Sequence, residues 1–326
     1  MWRALNLRLL TDRRRVLGNL AINTILPLFA IMVAGYITGR FKLLPATASE
    51  VLSRFVFVIA LPALIFASLS SITIAEFFNW HYIGALGGGM LAMFCIGMTV
   101  ARFVFPGSLT AISLHGLTAM YSSTAYIGLP LILTVFGDAG RVPGIIGAII
   151  TGLVFAPLAI ILAEIDRNQG SRLRVWSPLF TVVTRPPVIA VMVGLSVSAA
   201  GIDVPLPVTT FFELLGGAFV PCALFAAGLF IAGCSVRGAT AEISWLICAK
   251  LILHPLITWW LAYRVFELEG ILPVVAVVQA ALPSGVPVFV LAQQYRTFVT
   301  RSSAAIVLST AISVVTLSAL FMFLSD

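Results

Sequence analysis

Charged residues are scarce in this sequence. They make up 10% of its 326 positions, while apolar residues make up 60% and the mean hydropathy is +1.11. A soluble domain has about a quarter of its residues charged, so this chain lacks the side chains that would cover a water-exposed surface. Its exterior must therefore face lipid, and its net charge of +7 does not indicate a nucleic-acid partner.

Metal-ligating and catalytic patterns are also missing. The four cysteines lie in apolar segments without CxxC spacing, and His81, His115 and His254 are far apart in the chain. The sequence therefore predicts no metal site and no cofactor. His115 is interpreted as a structural histidine, with titration near neutral pH as the alternative. A membrane-embedded enzyme would need paired carboxylates or a histidine cluster at membrane depth, so we predict that the protein is not an enzyme.

Long apolar runs cover almost the whole sequence. They are continuous instead of alternating at period two, which favours helices over a barrel, and a helical span needs about 20 such residues. We predict an all-α polytopic membrane protein with ten spans. They lie at about residues 19–39, 49–71, 81–105, 112–136, 141–164, 177–200, 207–233, 242–266, 271–294 and 302–324.

The distribution of basic residues predicts the orientation. Loops that follow odd-numbered spans, with their helix ends, hold eleven Arg or Lys residues, and the even loops hold two. By the positive-inside rule, both termini lie outside a bacterial inner membrane. The basic N-terminal segment, residues 1–18, disagrees with this orientation. Either it lies on a membrane surface or the natural chain starts later.

The two halves of the chain resemble each other. Four pairs of landmarks recur 157 to 160 residues apart: Pro27 with Pro187, Pro45 with Pro205, Pro62 with Pro221, and Pro130 with Pro287. This spacing predicts a first five-span repeat at 19–165, a cytoplasmic linker at 166–176 and a second repeat at 177–326. An odd number of spans inverts the second repeat relative to the first, which is typical of secondary transporters.

Helix-breaking residues interrupt the fourth and ninth spans. Proline and glycine at membrane depth are tolerated where the freed backbone groups face protein or a wet cavity, and paired breaks mark a transporter's binding site. The alternative is that proline, glycine and serine are simply common in membrane helices. The predicted substrate-binding residues are Tyr121, Ser122, Ser123, Thr124, Gly128, Gln279, Ser284 and Gly285, and the predicted helix-crossing residues are Pro130, Pro283 and Pro287.

These breaks predict how a negatively charged cargo is held. Each helix that restarts after a break aims its N-terminal amides and positive dipole end at the cavity. We expect two such ends to hold a carboxylate without a fixed lysine or arginine nearby. For Lys250, in the eighth span, two interpretations stay open: a functional role, or a side chain that extends to the cytoplasmic surface.

Several segments resemble the auxin efflux carrier family. They are Ile25–Tyr36, Leu61–Phe66, Gly128–Leu131, Leu308–Thr310 and, most specifically, Ala281–Tyr295. The resemblance covers residues 20–324. It implies ten helices in two inverted repeats, like bile-acid symporters and NhaA-type antiporters, with the fourth and ninth helices crossing at Pro130 and Pro287. Ser123 stands where the family usually has asparagine, which changes the donors at the expected cargo site.

The resemblance also implies a function. The family includes plant auxin exporters and bacterial carriers assigned to malonate, malate and similar carboxylates. We therefore expect a secondary transporter of a small organic anion, in contact with membrane lipid. Coupling to H⁺ or Na⁺ and assembly as a homodimer are left open. The alternative is a membrane sensor or scaffold that retains a transporter fold.

Overall fold

The computed structural model describes residues 26–45, 47–72, 77–167, 184–234 and 240–324. Across these ranges the chain is helical, and its β-structure is limited to one isolated bridge. The prediction of an all-α membrane protein is therefore confirmed. The basic segment predicted at 1–18 and most of the linker predicted at 166–176 lie outside the described residues.

Eleven helices are named here in chain order. They are α1 (Leu26–Arg40), α2 (Ala48–Leu69), α3 (Trp80–Val104), α4 (Leu109–Met120), α5 (Thr124–Asp166), α6 (Pro186–Ala199), α7 (Leu206–Ala232), α8 (Ala241–Val265), α9 (Leu272–Ala281), α10 (Val286–Gln294) and α11 (Val299–Phe323). Within the described residues, six of them are long and apolar enough to cross a membrane: α2, α3, α5, α7, α8 and α11.

Helix α5 is divided by Gly137. At 43 residues a straight α5 would extend about 65 Å, roughly twice the thickness of a bilayer core. Gly137 has φ 58° and ψ −142°, which glycine adopts at little steric cost. This residue separates an arm at 124–136 from an arm at 138–166.

Local sequence explains where several helices begin. The side chain of Asn79 accepts a hydrogen bond from the Tyr82 backbone N–H (3.0 Å), and Ser108 accepts one from Ala111 (3.2 Å). These bonds satisfy donors that the first turn of a helix leaves free. Helices α6, α9 and α10 instead carry proline in their first two positions, where no N–H partner is needed.

The helices pack in two groups. In the first group, α2 contacts α6 and α7, and α7 contacts α1, while helices α3, α4, α5, α8, α9, α10 and α11 form the second group. Helix α7 packs on the first arm of α5 and joins the groups. Each group takes helices from both halves of the chain, so the packing cuts across the sequence order.

Two glycines bring α1 and α7 into backbone contact. A Cβ atom at Gly228 would lie 1.9 Å from the Met32 carbonyl oxygen, and one at Gly35 would lie 2.2 Å from the Phe225 carbonyl oxygen. Small residues that allow such an approach stabilise helix pairs in membranes, where van der Waals packing and not water exclusion drives association. These contacts therefore fix α1 against α7 within the first group.

We expect Gly228→Ala to lower the melting temperature of the purified protein. The added methyl group would meet the backbone of Met32, which moves only if the two helices separate, and overpacking of this kind costs about 1–3 kcal/mol. Gly217→Ala is the matched control, because no atom lies within 4 Å of its Cβ position. Equal melting temperatures for the two variants in detergent would contradict the close α1–α7 contact.

Candidate functional site

Two helices are interrupted in the interior, and the interruptions lie side by side. The first separates α4 from α5 at residues 121–123, and the second separates α9 from α10 at residues 282–285. Leu282 is extended, with φ −62° and ψ 152°. Pro283 accounts for this, because a residue that precedes proline is disfavoured in the helical region.

Main-chain hydrogen bonds join the two interruptions. Ser122 and Ser284 form an antiparallel bridge. The Ser123 N–H donates to the Pro283 carbonyl (2.9 Å), and the Gly285 N–H donates to the Tyr121 carbonyl (3.0 Å). Each break therefore satisfies backbone groups that the other has released, as the interior of a membrane protein requires.

Further hydrogen bonds connect the bridge to neighbouring helices. The Ser284 N–H donates to Ser309 Oγ of α11 (3.1 Å), and the Ser284 hydroxyl donates to the Thr118 carbonyl of α4 (3.0 Å). The Ser123 carbonyl accepts from the Gly128 N–H (2.9 Å) in the π-helical turn that opens α5. The bridge is thus fixed by three helices besides α10.

The structure brings most of the predicted binding residues together. Tyr121, Ser122, Ser123, Ser284 and Gly285 lie in the two breaks, and all five are buried. Thr124 and Gly128 are buried in the adjoining turn of α5, and a Cβ atom at Gly128 would lie 2.3 Å from Leu282 Cδ1. Their role in binding cargo stays a prediction.

Gln279 has a different neighbourhood from the other predicted binding residues. Its Nε2 atom donates to the Pro143 and Gly144 carbonyls of α5 (3.1 and 3.3 Å). Gly147 makes room for it, since a Cβ atom there would lie 1.6 Å from Gln279 Oε1. The amide joins α9 to the second arm of α5, and its Oε1 atom is buried without a hydrogen-bond partner.

The three predicted crossing prolines occupy two kinds of position. Pro283 lies in the second break and accepts a hydrogen bond from Ser123. Pro287 is the second residue of α10, which follows that break directly. Pro130 is instead separated from the first break by the π-helical turn Thr124–Gly128. The two breaks therefore match in space, while Pro130 lies one turn further along its helix.

One expectation about charge is wrong. We expected no fixed lysine or arginine near the breaks, but Lys250 of α8 is 0% exposed and its Nζ atom donates to Ser122 Oγ (2.9 Å). The same Nζ atom donates to the Ala280 carbonyl of α9 (2.6 Å) and lies 3.1 Å from His254 Nδ1. Lys250 therefore does not reach the surface, and it contacts both broken segments.

Lys250 belongs to a buried polar stripe on α8. His254 and Thr258 follow it at spacings of four residues, and both are 0% exposed. Such spacing places the three side chains on one face of the helix. His254 Nε2 and Thr258 Oγ1 have no hydrogen-bond partner. A buried polar atom without a hydrogen-bond partner is costly, which makes His254 and Thr258 candidates for a functional role beside Lys250.

A second charged cluster lies near the start of α8. Glu242, 2% exposed, accepts from Arg301 Nε (3.0 Å) and lies 3.1 Å from His115 Nδ1. Phe298 packs against both the His115 ring and the Arg301 guanidinium. The cluster joins α4, α8 and α11, and it gives His115 the partner that a buried structural histidine requires.

Comparison with known proteins identifies relatives along nearly the whole chain. The family described as "Membrane transport protein" matches residues 20–171 and 175–321. The chain is 28% identical to a Rhizobium meliloti protein named "Putative malonate transporter", covering 91% of this chain and 93% of that protein. It is 26% identical to an "Uncharacterized transporter" of Methanothermobacter thermautotrophicus, covering 90% of this chain and 95% of that protein.

A mouse protein is also similar. The chain is 26% identical to the "Lysosomal cholesterol signaling protein" of Mus musculus, over 72% of this chain and 29% of that protein. The similarity therefore reaches proteins with different printed roles. Together with the apolar helices, the relatives identify a multi-pass membrane protein, consistent with a bacterial cell membrane.

Replacement of Ser309 should destabilise the bridge. Ser309→Ala leaves the buried Ser284 N–H without its acceptor, and an unsatisfied buried donor costs about 1–3 kcal/mol. Ser318→Ala is the matched control on the same helix, because the Ser318 hydroxyl donates only to the Val314 carbonyl one turn earlier. We expect a lower melting temperature in detergent for Ser309→Ala than for Ser318→Ala, and the reverse order would contradict a supporting role for Ser309.

Proposed function

The chain belongs to the auxin efflux carrier family of membrane transport proteins, and on that basis we propose that it is a secondary transporter that carries a small organic anion. The observation that carries the proposal is the backbone bridge between Ser122 and Ser284. It joins two interrupted helices, one from each half of the chain. Paired interruptions of this kind form the binding sites of secondary transporters.

The proposal includes ten membrane passes in two inverted repeats. Helices α4 and the first arm of α5 form one pass, the second arm of α5 forms another, and α9 with α10 forms a third. With α1, α2, α3, α6, α7, α8 and α11, the total is ten. Support comes from the Gly137 kink, from the interruption of the fourth and ninth passes at matching places, and from helix packing that combines both halves.

An anionic cargo agrees with the polarity of the bridge region. Helices α5 and α10 begin directly after the breaks, so their N-terminal ends, which carry partial positive charge, lie beside the bridge. Glu242, the acidic residue of α8, is engaged with His115 and Arg301 near the start of that helix. The similarity to a protein named for malonate supports a small carboxylate.

Uptake into proteoliposomes tests the proposed function. The purified protein is reconstituted and offered a panel of radiolabelled mono- and dicarboxylates that includes malonate, with and without a sodium or proton gradient. We expect saturable uptake of at least one carboxylate above protein-free vesicles. Binding without uptake would favour a sensor that retains the transporter fold, and neither binding nor uptake across the panel would contradict an organic-anion carrier.

Pro283→Ala should reduce uptake severely without preventing membrane insertion. Alanine restores an N–H donor and removes the restriction that holds Leu282 extended, so α9 gains the freedom to continue through the break. Pro186→Ala, at the first position of α6, is the matched control and should keep its rate. Initial uptake rates are compared per amount of reconstituted protein. Equal rates in the two variants would show that transport does not need the second break.

A further inference from the structure

The Lys250 side chain has a set of contacts that no other described side chain shares. Its Nζ atom is within hydrogen-bond distance of three groups, Ser122 Oγ, Ala280 O and His254 Nδ1. In its protonated form the Lys250 side chain has three N–H donors and no acceptor, so each donor would have one partner. Ser122 lies in the first break, and Ala280 lies in the last turn of α9, just before the second break.

These three partners are neutral, and none is a carboxylate. Among the described residues, the ion pairs involve Glu242 and Asp138 as acids and do not include Lys250. A buried ionic group is ordinarily paired with an opposite charge, because taking a charge out of water is costly. An ionisable side chain at membrane depth marks a functional site by default. The contacts of Lys250 thus match those of a group that lacks its counter-ion.

The groups around Lys250 can also receive a ligand. With His254 Nδ1 accepting from Lys250, the hydrogen of the ring lies on Nε2, and this atom is buried and has no partner. Thr258 Oγ1, one turn further along α8, is likewise buried and unpartnered. A carboxylate accepts from two donors at once. A carboxylate with one oxygen bound to Lys250 Nζ and the other bound to a neighbouring donor would fit this arrangement.

We propose that the Lys250 ammonium group is the fixed positive charge that receives the carboxylate of the carried anion. The inference rests on the proposed function and deepens it, because it assigns the charge selectivity of the site to one residue. The carboxylate replaces a neutral acceptor of Lys250 at Ser122 or Ala280. Ser122 lies in the first break and Ala280 lies just before the second break. Cargo binding therefore loosens a contact between α8 and the bridge region.

The alternative role for Lys250 is structural. The Ala280 carbonyl lies at the C-terminal end of α9, where the partial negative charge of a helix is stabilised by a cation. A lysine that only held this helix end would affect stability and leave the charge preference of the site unchanged. The experiment must therefore measure how the site discriminates between charged and neutral cargo, and not only how fast the protein works.

Competition between malonate and its neutral diamide, malonamide, provides that measurement. Each compound competes for uptake of the radiolabelled carboxylate that gives the highest rate in the panel. The wild-type protein should bind malonate about 10- to 100-fold more tightly than malonamide, the difference expected for a charge-assisted hydrogen bond. In Lys250→Gln, malonate binding should weaken about tenfold or more, while malonamide binding stays the same, so the ratio approaches one.

Two further variants separate charge from general damage. Lys250→Arg keeps the positive charge and should keep a preference for malonate. Lys42→Gln removes the other lysine of the sequence, which is exposed, and should keep the wild-type ratio. If Lys250→Gln does not accumulate in membranes, the inference is tested on the ratio of malonate to malonamide affinity in the wild-type protein. Malonamide that competes as well as malonate overturns the inference, and competition at least about tenfold weaker supports it.

The outcomes distinguish this inference from the proposed function. A wild-type protein that carries no carboxylate contradicts the function, and the inference with it. A wild-type protein that carries carboxylates, combined with a Lys250→Gln variant that keeps the wild-type ratio of malonate to malonamide affinity, overturns the inference alone. A lower melting temperature with an unchanged ratio would assign Lys250 the structural role.

Discussion

The main-chain pairing of two broken helices is the constraint on which the rest of this structure depends. A helix that stops inside a membrane protein leaves donors and acceptors that no water can satisfy. Here the Ser123 N–H and the Gly285 N–H each find a carbonyl in the opposite break. Neither break is satisfied alone, so the two halves of the chain must meet at this point. Ser309 and Thr118 then complete the remaining hydrogen bonds.

The two groups of helices differ in the buried polar contacts that join their members. Gly35 and Gly228 allow the backbones of α1 and α7 to touch, and such contacts favour a rigid pair. The group that contains the breaks has a close glycine contact as well, at Gly97 and Gly116 between α3 and α4. It is also joined through polar contacts, such as Gln279 with the second arm of α5 and Glu242 with His115 and Arg301. Polar contacts can be exchanged for others of similar energy, which is what a carrier with two states needs.

Sequence reasoning found the breaks but not the charge beside them. Proline and glycine act locally, so Pro283 and Gly285 signal an interruption from their neighbours alone. The two breaks are 162 residues apart, at Ser122 and Ser284, and matching the halves through Pro130 and Pro287 misses this spacing. The reason is that the π-helical turn Thr124–Gly128 lies between the first break and Pro130. Lys250 meets Ser122 across 128 residues, and no local pattern encodes that contact. The only signal was an ionisable residue in an apolar span.

The use of backbone atoms for the bridge has an evolutionary consequence. Every residue except proline carries the same amide donor, so side chains near the bridge can be exchanged while the crossing persists. Ser123 illustrates this, because it makes its bridge contact through its N–H and not its hydroxyl. Selection can therefore change the hydroxyl and amide side chains around the bridge while the crossing itself is kept. Diversification of cargo within one architecture follows from that separation of tasks.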